Sequence, residues 1–131
     1  MITRTKIIND LVERYDYKTY LEIGVRIASE NFNRINVENK EGVDPAATSP
    51  VKYPMTSDEF FEKHTKNKKY DIIFVDGLHT KDQVYKDVIN SIQHLNLHGT
   101  IVMHDCNPPT KYHIRSYDEY LKTKGKWNGT V

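Results

Sequence analysis

The chain's 131 residues suit one domain spanning 1–131, yet only 37% are hydrophobic even with nine tyrosines counted, a thin supply for a core. Nineteen basic against eighteen acidic residues leave a net charge of +1, which excludes both a disordered polyelectrolyte and a phosphate-gripping nucleic-acid binder. The single cysteine excludes a disulfide framework and fits a reducing, cytoplasmic setting, and no apolar run approaches the roughly 20 residues of a membrane span.

Ile7, Ile8, Leu11 and Val12 recur at helical spacing and predict an amphipathic helix over 4–15. The apolar run 20–25 is interrupted by Gly24 and reads as a buried strand. Phe32 and Ile35 then share one face of a helix expected to start near Ala28. Residues 41–45 read as a brief strand stopped by Pro45, and Val51 and Tyr53 alternate as a short edge strand between Pro50 and Pro54. Thr56 with Glu59 three residues on forms a capping box ahead of Phe60 and Phe61. The strongest strand is 70–76, where four consecutive apolar residues predict burial on both faces, as in a parallel sheet. Thr80 and Gln83 repeat the capping box, and Val84, Val88, Ile92 and Leu95 predict a helical stripe behind it. Gly99 ends that region before a second apolar strand, 100–103, which runs into His104 and Asp105. Ser116 and Glu119 give a third capping box ahead of Tyr117, Tyr120 and Leu121, and Trp127 opens what reads as the approach to another strand. Strand and helix alternate, which predicts an α/β, Rossmann-like, doubly wound and mostly parallel sheet.

In such sheets ligands bind at the carboxyl ends of the strands. Glu22, Asp44, Asp76 and Asp105 stand in or just after four strands. A lone Asp there is more often a turn former or a helix cap; four at corresponding positions converge on one rim. The first turn is more specific, with Glu22 two residues before Gly24, then Arg26 and the small Ala28. Gly24 lets backbone approach a ligand. A dinucleotide loop would want glycine where Arg26 stands. Glu22 would repel a pyrophosphate but suits an ammonium group. The sign of that charge favours a ligand with an amino-acid end over NAD.

The segments 21–26, 42–45, 56–61, 70–79 and 101–105 resemble class I S-adenosylmethionine-dependent methyltransferases, in order and spacing over residues 17–131. The closest likeness is to the branch of small-molecule and sugar O-methyltransferases with a D-G-x-H motif, here Asp76-Gly77-Leu78-His79, followed by His104-Asp105. The resemblance implies strand order 3-2-1-4-5, with the C-terminal strands of the full design missing. It implies that Glu22, Gly24 and Arg26 serve the methionine end of the cofactor, that Asp44 takes the ribose hydroxyls, and that Asp76 borders the same pocket. Ser57 and Asp58 fall where such enzymes meet adenine, although Asp58 could equally serve its helix N-terminus.

Methyl transfer is an in-line displacement, so the protein must align the reactants and deprotonate an oxygen acceptor. Asp76 and Asp105 end strands expected to lie side by side, about 4.8 Å apart, and could share Mg²⁺. His104 would be a further metal ligand, although it stands where related sugar-modifying enzymes carry an acid; Asn107 could add an oxygen. His79 suits a general base, against the alternative that it caps the next helix or orients Asp76. The expected function is O-methylation of a small molecule or sugar, with no nucleic-acid or membrane partner. The sheet edge beside 100–104 is expected to be either covered by another chain, as in a homo-oligomer, or left exposed. An inert cofactor-binding module and, behind it, a dinucleotide-dependent oxidoreductase are the alternatives.

Overall fold

The computed structural model describes residues 1–106, 110–111 and 115–125. Its centre is a four-stranded sheet of β1 (Thr19–Ile23), β2 (Asn39–Val43), β3 (Tyr70–Val75) and β4 (Leu95–Met103), ordered β2-β1-β3-β4. Every pairing is parallel. Ile72, Ile73, Phe74 and Val75 of β3 are all buried, as their unbroken apolar run predicts for a strand covered on both faces.

Two apolar layers sandwich the sheet. On one face Ile8 and Val12 of α1 (Arg4–Tyr15) pack with Tyr20, Ile35, Ile72 and Phe74. On the other, Phe60 of α2 (Ser57–Lys63) packs with Leu21, Ile23, Val43, Tyr53, Ile73 and Val75. The third helix, α3 (Lys81–Gln93), lies beside α2 and against β3 and β4, and α4 (Tyr117–Thr123) follows β4. Thr3, Thr56, Thr80 and Ser116 each cap the helix that follows through the side-chain oxygen. Of the three expected capping boxes, the reciprocal pair is made at Ser116 and Glu119. Glu59 reaches Lys63 instead, and the Gln83 amide turns to α2.

The structure departs from the sequence pattern at four places. The helix expected near Ala28 is two single 3₁₀ turns, Ala28–Glu30 and Phe32–Arg34. Asn31 between them leaves helical geometry (φ −147°), and its side chain is drawn inward onto Glu22. The edge strand expected at 51–53 shrinks to one parallel bridge, Val43 to Tyr53, because prolines on both sides supply no N–H for a longer ladder. The sheet order is therefore the expected one without its outermost member.

Strand β4 starts at Leu95, not after Gly99. Its register jumps from Tyr70↔Leu95 to Ile72↔Thr100, and His98 takes φ 65° within the bulge. Gly99 is required there, since a Cβ would lie 2.7 Å from the Asp71 carbonyl oxygen. The stripe on α3 is also rotated. Its buried residues are Val84, Asp87 and Ser91, while Ile89 and Ile92 are exposed. Hydrogen bonding between Asp87 and Ser57 turns the polar side of α3 toward α2. Asn107, His113 and Trp127 lie outside the described residues.

At the far end of the sheet Glu41 accepts hydrogen bonds from Lys52, Lys68, Tyr53 and Tyr70. Burial pulls this carboxyl up, but those donors outweigh it and hold it at about 2. A depressed carboxyl stabilises the fold above its ordinary value, and that contribution fades as pH falls. Glu41→Gln should therefore cost about 1–2 kcal/mol near neutrality. It should also lessen the loss of stability between pH 4.5 and about 2; equal acid sensitivity in urea melts of both proteins would refute this.

Candidate active site at the strand ends

The register Ile23↔Val43, Ile23↔Val75 and Val75↔Met103 aligns the strand ends. Gly24, Asp44, Asp76 and His104 consequently follow their strands in one row. Gly24 has φ 89°, and a Cβ on it would sit 2.0 Å from the Asp76 carbonyl oxygen and 2.8 Å from the Gly77 Cα. Only glycine permits the first loop to rest on the Asp76–Gly77 peptide.

The next loop is built by Asp44. One of its oxygens accepts from the Arg26 N–H at 2.7 Å and the other from the Ala46 N–H at 2.7 Å. The first bond steadies Arg26 in a left-handed conformation, φ 54°. Each carboxylate oxygen has a further lone pair, so Asp44 can still receive hydroxyl donors. Ser57 and Asp58 stand at the start of α2, where Gln83 donates to both and Ser57 donates to Asp87.

Glu22 lies deeper than a pocket-lining residue. It is 1% exposed and accepts from the Tyr20 hydroxyl at 2.5 Å and the Asn31 amide at 3.0 Å. Burial pushes its carboxyl up to about 7, against the pull of those donors and of Arg4.

The densest chemistry sits after β3 and β4. One Asp76 oxygen lies 2.9 Å from His79 Nε2 and 3.1 Å from His104 Nδ1, while the other accepts from Arg4 at 2.9 Å. Asp105, held at φ 55°, brings an oxygen 3.1 Å from His104 Nδ1 and 3.5 Å from His79 Nδ1. Burial would lift the Asp76 carboxyl, but His104 and His79 outweigh it and hold it below the usual range. Asp76 in turn raises the His104 imidazole above its ordinary value.

Ligand atoms of Asp76, His79, His104 and Asp105 all lie within 4.8 Å of one another. His104 Nδ1 is shielded from solvent and close to two carboxylates, yet it makes no aligned hydrogen bond. A nitrogen so placed fits a cation between the carboxylates. Two imidazoles with two carboxylates suit Zn²⁺ or Mn²⁺ better than Mg²⁺, which takes oxygen ligands. Cys106 borders the group, but burial and the nearby Asp105 raise its thiol, away from nucleophilic use.

A family model described as a methyltransferase domain matches residues 16–106. The chain belongs to this family. It is a class I S-adenosylmethionine-dependent methyltransferase domain on a Rossmann-like sheet, and the family implies that cofactor. No curated protein and no solved structure matches the chain significantly. The matched span holds all four strands and the whole Asp76–His79–His104–Asp105 group, whereas α1 and its Arg4 precede it. Acids at the rim agree in sign with a ligand carrying sulfonium and ammonium groups. Among the described residues no helix is long and apolar enough to cross a membrane.

Arg4, Asn31 and Asp87 are the site's neighbours that the sequence did not disclose. Arg4 reaches Asp76 across 72 residues of chain, and no local pattern announces such a contact. Asn31 and Asp87 were hidden by helical readings that favoured the apolar residues around them.

Glu22 gives a pH test. Its raised carboxyl makes the folded state the tighter proton binder, so this group's effect is to lower stability as pH rises from 4.5 to about 7. Glu22→Gln should flatten that part of the pH profile and raise Tm on its alkaline side. An unchanged slope in thermal melts across the window would overturn the assignment.

Proposed function

We propose that this domain transfers the methyl group of S-adenosylmethionine to an oxygen of a small molecule or sugar. The observation that carries the reading is the unequal grip on His79 between two carboxylates. Asp76 holds Nε2 at 2.9 Å, whereas Asp105 stands 3.5 Å from Nδ1. The first contact orients the ring with Nε2 as the donor, which makes Nδ1 the basic nitrogen for the hydroxyl of an acceptor. Asp76 then stabilises the imidazolium formed when that hydroxyl gives up its proton.

The cofactor supplies an electrophilic methyl on sulfur; the chain's residues align it. In this reading the Gly24 loop with Arg26 meets the methionine end, Asp44 takes the ribose hydroxyls, and Ser57 and Asp58 meet the adenine. Glu22 acts from beneath, through charge and through Asn31. Asp76, His104 and Asp105 would hold a divalent ion, whose charge would favour an ionised acceptor oxygen. Among such ions, the His104 imidazole weighs for Zn²⁺ or Mn²⁺ over the Mg²⁺ suggested by the two carboxylates alone.

One observation favours a second reading, a domain that binds the cofactor without catalysis. Arg4 already occupies an Asp76 oxygen at 2.9 Å, as in a charge pair kept for stability. The two readings part on His79. Under the catalytic reading His79→Ala lowers kcat by about 10²–10⁴-fold while S-adenosylhomocysteine affinity by isothermal titration holds within about twofold, well under the tenfold equivalent of 1.4 kcal/mol. Transfer of labelled methyl to a panel of sugars and hydroxylated small molecules supplies the rate. A folded wild-type protein that binds neither S-adenosylmethionine nor S-adenosylhomocysteine would sink both readings.

A further inference from the structure

Asp87 has no part in the mechanism above, and its position is costly. It is 1% exposed on α3, and among the described residues no cation lies in salt-bridge range of it. Its Oδ2 makes no hydrogen bond and lies 3.4 Å from where a Cβ on Gly77 would be. Burying an unpaired carboxylate opposes folding. The same helix carries Ile89 and Ile92 exposed, so apolar side chains were at hand for that face.

What Asp87 does is visible at its other oxygen. Oδ1 accepts the Ser57 hydroxyl at 2.5 Å and the Gln83 amide at 3.0 Å. The Gln83 amide also lies 3.2 Å from Ser57 Oγ and 3.1 Å from Asp58 Oδ1. Counting protons settles the polarity of this side-chain group. Ser57 owns one, and it goes to Asp87; Gln83 owns two, and both are shared among the three acceptors. A serine hydroxyl ordinarily rotates to donate or accept as its surroundings require. Here the carboxylate commits it, and the half-buried Ser57 Oγ and the exposed Asp58 carboxylate offer only lone pairs outward.

We propose that Asp87 is a positioning residue that locks the Ser57 hydroxyl as an acceptor and so selects a ligand edge bearing an amine over one bearing a carbonyl. The proposal rests on the reading of Ser57 and Asp58 as adenosine contacts, and it adds the residue that sets their polarity. The exocyclic amine of adenosine donates to such a pair. The 6-oxo group of inosine would face lone pairs with a lone pair, and a site built for the donor rejects the analogue.

The test is a ratio, which a general loss of stability would not move. Isothermal titration compares S-adenosylhomocysteine with its inosine counterpart on the full chain. The wild-type protein should bind the adenosine compound at least about tenfold more tightly. Asp87→Ala frees the Ser57 proton to turn outward, and the preference should fall to within about threefold, most of the tenfold that 1.4 kcal/mol represents. Asp87→Asn should restore it, because the Gln83 amide proton keeps the asparagine oxygen at the Oδ1 position. Ser57→Ala leaves the buried carboxylate in place and should also lose the preference, which keeps the test decisive if Asp87→Ala does not fold. Wild-type preference retained in Asp87→Ala or in Ser57→Ala overturns the proposal, as does an Asp87→Asn protein that behaves like Asp87→Ala. Wild-type binding of both compounds without preference overturns it alone. Wild-type binding of neither overturns the methyltransferase reading with it.

Discussion

The site depends on a backbone contact, the first loop resting on the Asp76–Gly77 peptide at Gly24. A side chain there would collide with the Asp76 carbonyl, so the two loops meet only because position 24 has no Cβ. The contact continues the parallel pairing of β1 and β3, in which the Asp76 N–H donates to the Ile23 carbonyl at 2.8 Å. It brings Gly24 and Asp76, 52 residues apart in sequence, into one surface, and it fixes where the Asp76 carboxylate begins. From there the histidines and Asp105 can gather on one side and Arg4 on the other. Asp44, holding its own loop through two backbone N–H groups, adds the third rigid wall.

Charge is arranged around that frame at some cost to stability. Glu22, Asp76 and Asp87 are buried or nearly so, and each is treated differently. Glu22 is shielded by neutral donors and is left with a raised carboxyl. Asp76 is compensated by Arg4 and two histidines and stays low. Asp87 has the neutral donors Ser57 and Gln83 on one oxygen and no hydrogen bond on the other, and burial raises its carboxyl. A thin apolar core makes such expense notable, because a small domain has little hydrophobic stabilisation to offset it. Buried acids concentrate on the rim side of the sheet, and they distinguish this end from the surroundings of Glu41, which lysines and tyrosines satisfy.

Much of this was legible before the fold. Four consecutive apolar residues at 72–75 announce a strand buried on both faces, and helix periodicity at 4–15 gives α1 its limits. The acids at strand ends were legible because parallel topology sends all carboxyl ends one way. Legibility failed where a side chain's partner lies far along the chain. At Ala28 the pattern promised a helix, but the pull of Glu22 on Asn31 broke it into turns. On α3 the apolar stripe lost to hydrogen bonds with α2, and at 51–53 prolines capped pairing at one bridge.

By itself, the sequence determined the strands, the α/β layering and which residue types crowd the ligand rim, because apolar periodicity and turn residues act within a few positions. Only the tertiary structure decided how those residues face one another. The approach of His104 to the Asp76 carboxylate, the Arg4 contact from outside the family's matched span, and the commitment of the Ser57 proton to Asp87 all join residues whose separation in sequence is large. Hydrogen bonds and ion pairs of that kind are set by distances of about 3 Å, and packing the helices on the sheet is what brings the groups that close.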